Sequence, residues 1–246
     1  FKQGTSAPGP LRVEMCGCFA ELAREVGFGL EVSGWEVEQA ALGRRNYTVL
    51  TLEMLVRELQ SITDLPLQLD SSNKDALARA LRIYNGKPIV NSVNGEPETL
   101  EKILPLCKKY GAAVVGLALD KGGIPPTAEG RFAIAQRIVA AANAAGIPNE
   151  DIYIDCLTLT ASAQQEDVLA TVQALEACKK ELGVRTVLGV SNISFGLPCR
   201  AYLNTTFLTM AMYAGLDLAI MNPSSEEMMA AVYAYNCLLY TSDAAD

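Results

Sequence analysis

In LEMLVRELQSIT, Leu52 to Thr63, the apolar residues Leu52, Leu55, Val56, Leu59 and Ile62 recur at helical spacing, and the run LPLQLD behind them stops at Asp70. The pattern predicts a helix, then a strand. Asn73-Lys-Asp-Ala carries the start signal of a second helix with Ala76, Leu77, Ala80, Leu81 and Tyr84 on its apolar stripe, and Asn85-Gly86 turns the chain into KPIVNS, a strand expected to end at Asn91. The alternation then repeats. ETLEKILPLCKKYG precedes AAVVGLAL, whose continuous small and branched residues suit a parallel strand covered on both faces and ending at Asp120. An alanine-rich helix over 131–145 leads to DIYIDC and Asp155, LATVQALEACKKELG leads to TVLGVSN and Asn192, and NTTFLTMAMYAG leads to LDLAIMNP and Asn222.

Six strand candidates thus finish near Asp70, Asn91, Asp120, Asp155, Asn192 and Asn222, each separated from the next by one helix, the spacing of repeated βα units. A single Asp or Asn at a strand end is most often a turn former or a helix cap. Six in succession suggest a shared purpose, because in a TIM (β/α)8-type barrel the carboxyl ends of all strands converge on one mouth. A doubly wound sheet is the rival, but it usually announces a nucleotide with a glycine-rich turn, and the chain contains neither G-x-G-x-x-G nor a P-loop. The expected fold class is therefore α/β, a TIM (β/α)8-type barrel.

Composition narrows the partners. With 246 residues and 50% hydrophobic content the chain is long enough for one sizeable core, and a formal net charge of −8 gives no support for binding nucleic acid or an anionic membrane. No apolar run reaches the roughly 20 residues that span a bilayer, and the N-terminus lacks a signal-peptide pattern, so a cytoplasmic location is expected. Seven scattered cysteines form no dense disulfide framework and read as reduced thiols. A ring of carboxylates and carboxamides in a chain without histidine suits a flat heterocycle with N–H donors and ring-nitrogen acceptors better than it suits a metal, and none is expected. A pterin has that pattern.

Four stretches, RIYNGKPIVNSVNGE, GIPPTAEGRFAIA, IDCLTLT and LGVSNISFGLP, closely resemble the pterin-binding domain of cobalamin-dependent methionine synthase and the related methyltetrahydrofolate:corrinoid methyltransferases. The resemblance runs from about Leu52 to Leu239 and keeps the family's order and spacing. It implies a methyltransferase that takes the N5-methyl group of 5-methyltetrahydrofolate and passes it to a cob(I)alamin-type corrinoid, within methionine synthesis. The implied partners are a corrinoid-binding domain or protein and a small-molecule folate, with a homodimer as a candidate assembly. Carried over residue by residue, it makes Asp70, Asn91 and Asp155 the groups that hydrogen-bond the pterin, with Asp120 and Asn222 as secondary neighbours. It makes Asn192 the residue beside N5, where a hydrogen bond to the protonated nitrogen would ease departure of the methyl group. Ser191 reads as a turn hydroxyl, and turn or capping roles compete at Asn94 and Asn222. Two alternatives remain: a dihydropteroate synthase-like enzyme, whose basic residue after the seventh strand is replaced here by Asn192-Ile-Ser-Phe, and a non-catalytic folate-binding module.

The resemblance divides the chain into a divergent segment over 1–48, a pterin-binding barrel over 49–239 and a tail over 240–246 outside the family pattern. LRVEM and LEVSGWEV are the strand fragments of the first segment, which lacks the family's Asp-x-Asn stretch, so the barrel is expected to be incomplete there and the fragment inactive if the pocket is not completed. The tail reads as a truncation or a scar. Cys16-Gly-Cys18 lacks the further ligands a zinc site needs. Cys107 and Cys178 read as packing residues, Cys156 and Cys199 lie near the expected mouth without a base to activate them and take packing as the default, and the methionines at 210, 212, 228 and 229 read as core filling rather than a surface for a corrinoid domain.

Overall fold

A computed structural model of the protein describes residues 30–33, 47–163 and 165–240. LRVEM, Cys16-Gly-Cys18 and the tail from 241 lie outside them. The chain forms two compact units, one holding the described residues up to Val93 with Pro97–Val115 and Ala145–Ile147, the other holding Asn94–Glu96, Gly116–Ala144 and the described residues from Pro148 onward.

In the first unit, β1 (Leu30–Ser33), β2 (Leu67–Asp70) and β3 (Ile89–Asn94) run parallel in chain order. The LEVS of LEVSGWEV therefore does supply a strand. Helices α1 (Tyr47–Ile62), α2 (Lys74–Ile83) and α3 (Pro97–Tyr110) separate β1 to β3 and follow them. The buried faces follow most of each apolar stripe, Leu52, Val56 and Leu59 of α1, Ala76, Leu77, Ala80 and Leu81 of α2, and Ile103, Leu104 and Cys107 of α3, but Ile62 at the end of α1 is 44% exposed and Tyr84 lies just beyond α2. Asn73 caps α2 as its position predicted, its Oδ1 accepting from the amides of Asp75 (2.9 Å) and Ala76 (3.1 Å), which satisfies two otherwise unpaired donors of the first turn. β3 corrects the sequence reading in one respect, because it passes through Asn91 and ends at Asn94. Ladder hydrogen bonding, not side-chain polarity, decides where a strand stops, and the Asn91 carbonyl still accepts from the Ser71 amide at 3.1 Å.

β4 (Ala113–Leu117) begins in the first unit, where the Ala113 amide bonds Pro88 O at 3.0 Å, and ends in the second, where the Ala118 amide bonds Asp155 O at 2.9 Å. Ala113 to Gly116 are buried without a break, the pattern of a strand covered on both faces. It is three residues shorter than AAVVGLAL. A Cβ on Gly116 would lie 2.7 Å from Ile138 and 3.2 Å from Ile154, so this glycine lets a helix pack directly onto the strand.

The second unit continues with α4 (Ala128–Ala144), β5 (Ile152–Asp155), α5 (Asp167–Ala177) extended by a widened turn over Cys178–Leu182, β6 (Arg185–Gly189), α6 (Arg200–Tyr213), β7 (Leu218–Ile220) and α7 (Glu226–Tyr240). β5, β6 and β7 pair in parallel, with Asp155 opposite Val187 and Gly189 opposite Ile220. Ile138, Ile152, Ile154, Leu175, Leu188, Leu208 and Met228 form its fully enclosed interior. Met229 is buried as well, whereas Met210 is 36% exposed, so core filling holds for the second methionine pair only. Among the described residues no helix is long and apolar enough to cross a membrane.

Candidate functional site

The first unit brings Asp70 and Asn91 together. They are register partners, Asp70 at the end of β2 and Asn91 within β3, so their side chains leave the same face of the sheet. Both are half-buried, and no described residue hydrogen-bonds either side chain. A carboxylate and a carboxamide side by side offer three acceptor oxygens and an N–H2 group to a planar ligand.

In the second unit, β5 ends on Asp155 and β6 runs into a short 3₁₀ turn, Val190–Ser194, that carries Asn192. As a residue Asp155 keeps partial exposure, yet its carboxyl lies deep enough that burial pushes its pKa up to about 6, against a single lowering hydrogen bond from the Leu157 amide at 2.7 Å. Near neutral pH it is an anion with free lone pairs. Val190, Ile193 and Ser194 anchor the 3₁₀ turn in the core, which leaves Asn192 between them exposed. The Asn192 amide makes no hydrogen bond to a described residue. It folds back over Gly189, where an added Cβ would sit 2.9 Å from its Nδ2. Gly189 has φ −77, a conformation open to any residue, so an added Cβ there would displace the Asn192 side chain rather than strain the backbone.

The loop behind β5 is fastened to this turn. Thr160 Oγ1 and Ser162 Oγ donate to Phe195 O at 2.7 and 3.0 Å, and the Ala161 amide donates to Ile193 O at 2.9 Å. From the other side Arg200 donates through Nε to Ser194 Oγ (2.9 Å) and through Nη2 to Ser191 O (3.1 Å), with its guanidinium 4.8 Å from the Phe195 ring centre. Sequence reasoning missed Arg200 and the Thr160–Ser162 pair. Their only signal was position, a lone arginine eight residues beyond Asn192 and hydroxyls in a loop.

The secondary residues are otherwise engaged. Asp120 accepts from the Gly122 amide at 2.9 Å and pairs with Arg137, whose hydrogen bond holds its carboxyl below the ordinary value. It borders an open groove of about 550 Å³ with Gly122, Pro125 and Arg137. Asn222 Oδ1 accepts from the Ser224 amide at 3.1 Å, and Asn94 Oδ1 from the Glu96 amide at 3.0 Å, both turn geometries. Cys107, Cys156 and Cys178 are buried, as packing residues should be, but Cys199 is exposed at the start of α6 with φ 54, which corrects its assignment to the core. A residue in a left-handed turn that enters a helix from solvent has no core to face.

Comparison with known proteins adds the following. The family described as pterin binding enzyme matches residues 47–222. A methylcorrinoid:tetrahydrofolate methyltransferase of Eubacterium limosum is 30% identical over 192 residues, covering 77% of this chain and 71% of that protein. A methionine synthase of Mycobacterium leprae is 37% identical over 189 residues, and there the match spans 16% of the relative's length. Among solved structures, dihydropteroate synthase from Xanthomonas albilineans in complex with 7,8-dihydropteroate superposes with TM-score 0.68 at 17% identity, over 97% of this chain and 88% of that one. The Yersinia pestis enzyme with a pterine-sulfa conjugate gives 0.67 at 14%, over 93% and 90%. At such identities the likeness shows the fold alone, and that fold is the TIM (β/α)8 type, represented here by seven described strands.

Proposed function

Because the chain belongs to the pterin-binding enzyme family, we propose that it is a methyltransferase that binds 5-methyltetrahydrofolate and passes the N5-methyl group to a corrinoid carried by another domain or protein, within methionine synthesis. The observation that carries the reading is the presence, in one compact unit, of a partly buried carboxylate at the end of β5 and an exposed, unengaged carboxamide on the turn after β6. Asp155 as an anion accepts from the N–H groups of the pterin ring. Asp70 and Asn91 carry the same assignment by resemblance, with Asp120 and Asn222, engaged by Arg137 and by the Ser224 amide, as the secondary neighbours.

A tertiary amine leaves poorly. As the C–N bond breaks, its electron pair stays on N5, which takes up a proton from solvent or a network, while the corrinoid in its cob(I)alamin form supplies the pair that makes the new bond to the methyl carbon. Asn192 contributes a preorganised hydrogen bond to the protonated nitrogen, worth most where charge develops. The same groups would serve the reverse direction, which is the one in the name of the Eubacterium limosum relative. The turn Val190–Ser194 has no basic side chain of its own to meet a departing pyrophosphate, which supports methyl transfer over the dihydropteroate synthase reaction.

The test is calorimetric titration with methyltetrahydrofolate followed by single-turnover transfer to cob(I)alamin. Binding with transfer is expected. Binding without transfer would favour a non-catalytic folate module, and condensation of a pterin pyrophosphate with p-aminobenzoate would favour the synthase reading.

A further inference from the structure

We infer that Arg131 is a positioning residue for Asp155, acting through the peptide that joins Cys156 to Leu157. It lies in the GIPPTAEGRFAIA stretch on α4 and is completely enclosed, with 0% exposure. Its Nε donates to Pro125 O at 2.8 Å, and its Nη1 reaches Cys156 O and Leu157 O, both at 3.1 Å, and Thr171 Oγ1 at 2.6 Å. Asp167 Oδ1 lies 3.9 Å from Nη2 and supplies the counter-charge. A buried guanidinium is costly to desolvate, and packing alone would be met better by an apolar side chain of the same volume. What it holds gives the reason for its presence.

Every hydrogen-bond acceptor of Arg131 belongs to the loop before α4, to the two residues after Asp155, or to Thr171 on α5. In a trans peptide the C=O and the next N–H point in opposite directions. By holding Cys156 O, Arg131 turns the Leu157 N–H the other way, and that N–H meets Asp155 Oδ1 at 2.7 Å. The neighbouring peptide is held as well: Leu157 O accepts from Arg131 Nη1, with the Thr171 hydroxyl, whose proton is shared with Asp167 O at 2.9 Å, also within 3.2 Å, and Leu157 sits at φ 65, a conformation a leucine rarely adopts. One carboxylate oxygen of Asp155 is thereby tied to the backbone and the other is left for a ligand.

The proposal rests on the reading of Asp155 as a ligand-binding group, but its test does not need the ligand. Arg131→Lys keeps the charge and loses the fork. Thr171→Val is isosteric and removes the hydroxyl that accepts from Arg131 Nη1 and borders Leu157 O, so it loosens the same anchorage where the arginine variant does not fold. In each, the Leu157 amide exchange rate and the titration of the Asp155 carboxyl are followed by nuclear magnetic resonance in the free protein. The charged or titratable neighbours of this segment are Arg131, Asp167 and the Cys156 thiol, which Cys178 and burial push far up and keep neutral through the titration. Leu157 exchange should rise about tenfold or more as the peptide is released, and the Asp155 midpoint should climb above its value near 6. Folate affinity at pH 7.5 should fall about tenfold with the misplaced carboxylate. A folded variant that melts earlier yet keeps the wild-type Leu157 exchange and Asp155 midpoint would reduce Arg131 to a packing role and overturn the proposal. If the wild-type chain does not bind methyltetrahydrofolate, the ligand assignment fails, while exchange and titration still decide the part played by Arg131.

Discussion

Asn192 and Asp155 owe their chemistry to what surrounds them. If the Asn192 amide acts at N5, Asn192→Ala should slow methyl transfer at saturating folate by about 10²-fold, the usual cost of one preorganised hydrogen-bonding group, with a smaller effect on affinity. Single-turnover kinetics beside a melting curve separates that outcome from a turn residue, whose loss would cost about 1 kcal/mol of stability and leave the rate per folded molecule unchanged. Gly189→Ala offers an independent check, since the new Cβ would meet Nδ2 at 2.9 Å and displace the amide without straining the backbone. The same kinetics should show a rate loss in a protein that melts normally. Asp155 predicts a pH effect of known sign. Its folded-state pKa of about 6 lies above the ordinary 3.8, so the stabilisation of the protonated form is complete below about pH 4 and is lost as pH rises through about 6, each unit amounting to about 1.4 kcal/mol. Urea unfolding of wild type and Asp155→Asn between pH 4 and 7.5 should show the difference between the two curves falling with pH. A constant difference would mean that the carboxyl is not shifted.

The elements carry these residues through loops, and the loop after β5 is the instructive one. Thr160 and Ser162 fasten it to Phe195 O, so a Thr160→Val, Ser162→Ala double variant should free the turn that bears Asn192. The hydrogen bonds are exposed and worth about 1 kcal/mol together at most, so stability should hardly change while amide exchange around Ile193 and Phe195 quickens and transfer slows. Equal exchange in the two proteins would assign the hydroxyls to local solvation. The helices were legible because their apolar stripes follow a period of 3.6 that burial then uses, as in Ala76, Leu77, Ala80 and Leu81. The ends of β3 and β4 were not, because they depend on partner strands that a single segment does not contain.

For the whole molecule the measurable consequence of ligand binding is linkage. Methyltetrahydrofolate at 100 times its dissociation constant should raise unfolding free energy by about 2.7 kcal/mol, visible as a higher melting temperature, and no shift at any concentration would count against a folate site. The sequence by itself determined the alternation of helices and strands, and its strand-end polar residues and motifs pointed to Asp70, Asn91, Asp155 and Asn192. Both are local properties, one of hydrophobic period and the other of short words in the chain. Tertiary structure decided what those residues are free to do. It tied Asp120 to Arg137, closed Asn222 into a turn, left the Asn192 amide unengaged above Gly189, and set Arg131 beneath the peptide that follows Asp155. Such pairings join residues distant in sequence, and hydrogen-bond partners and burial exist only once the chain has folded.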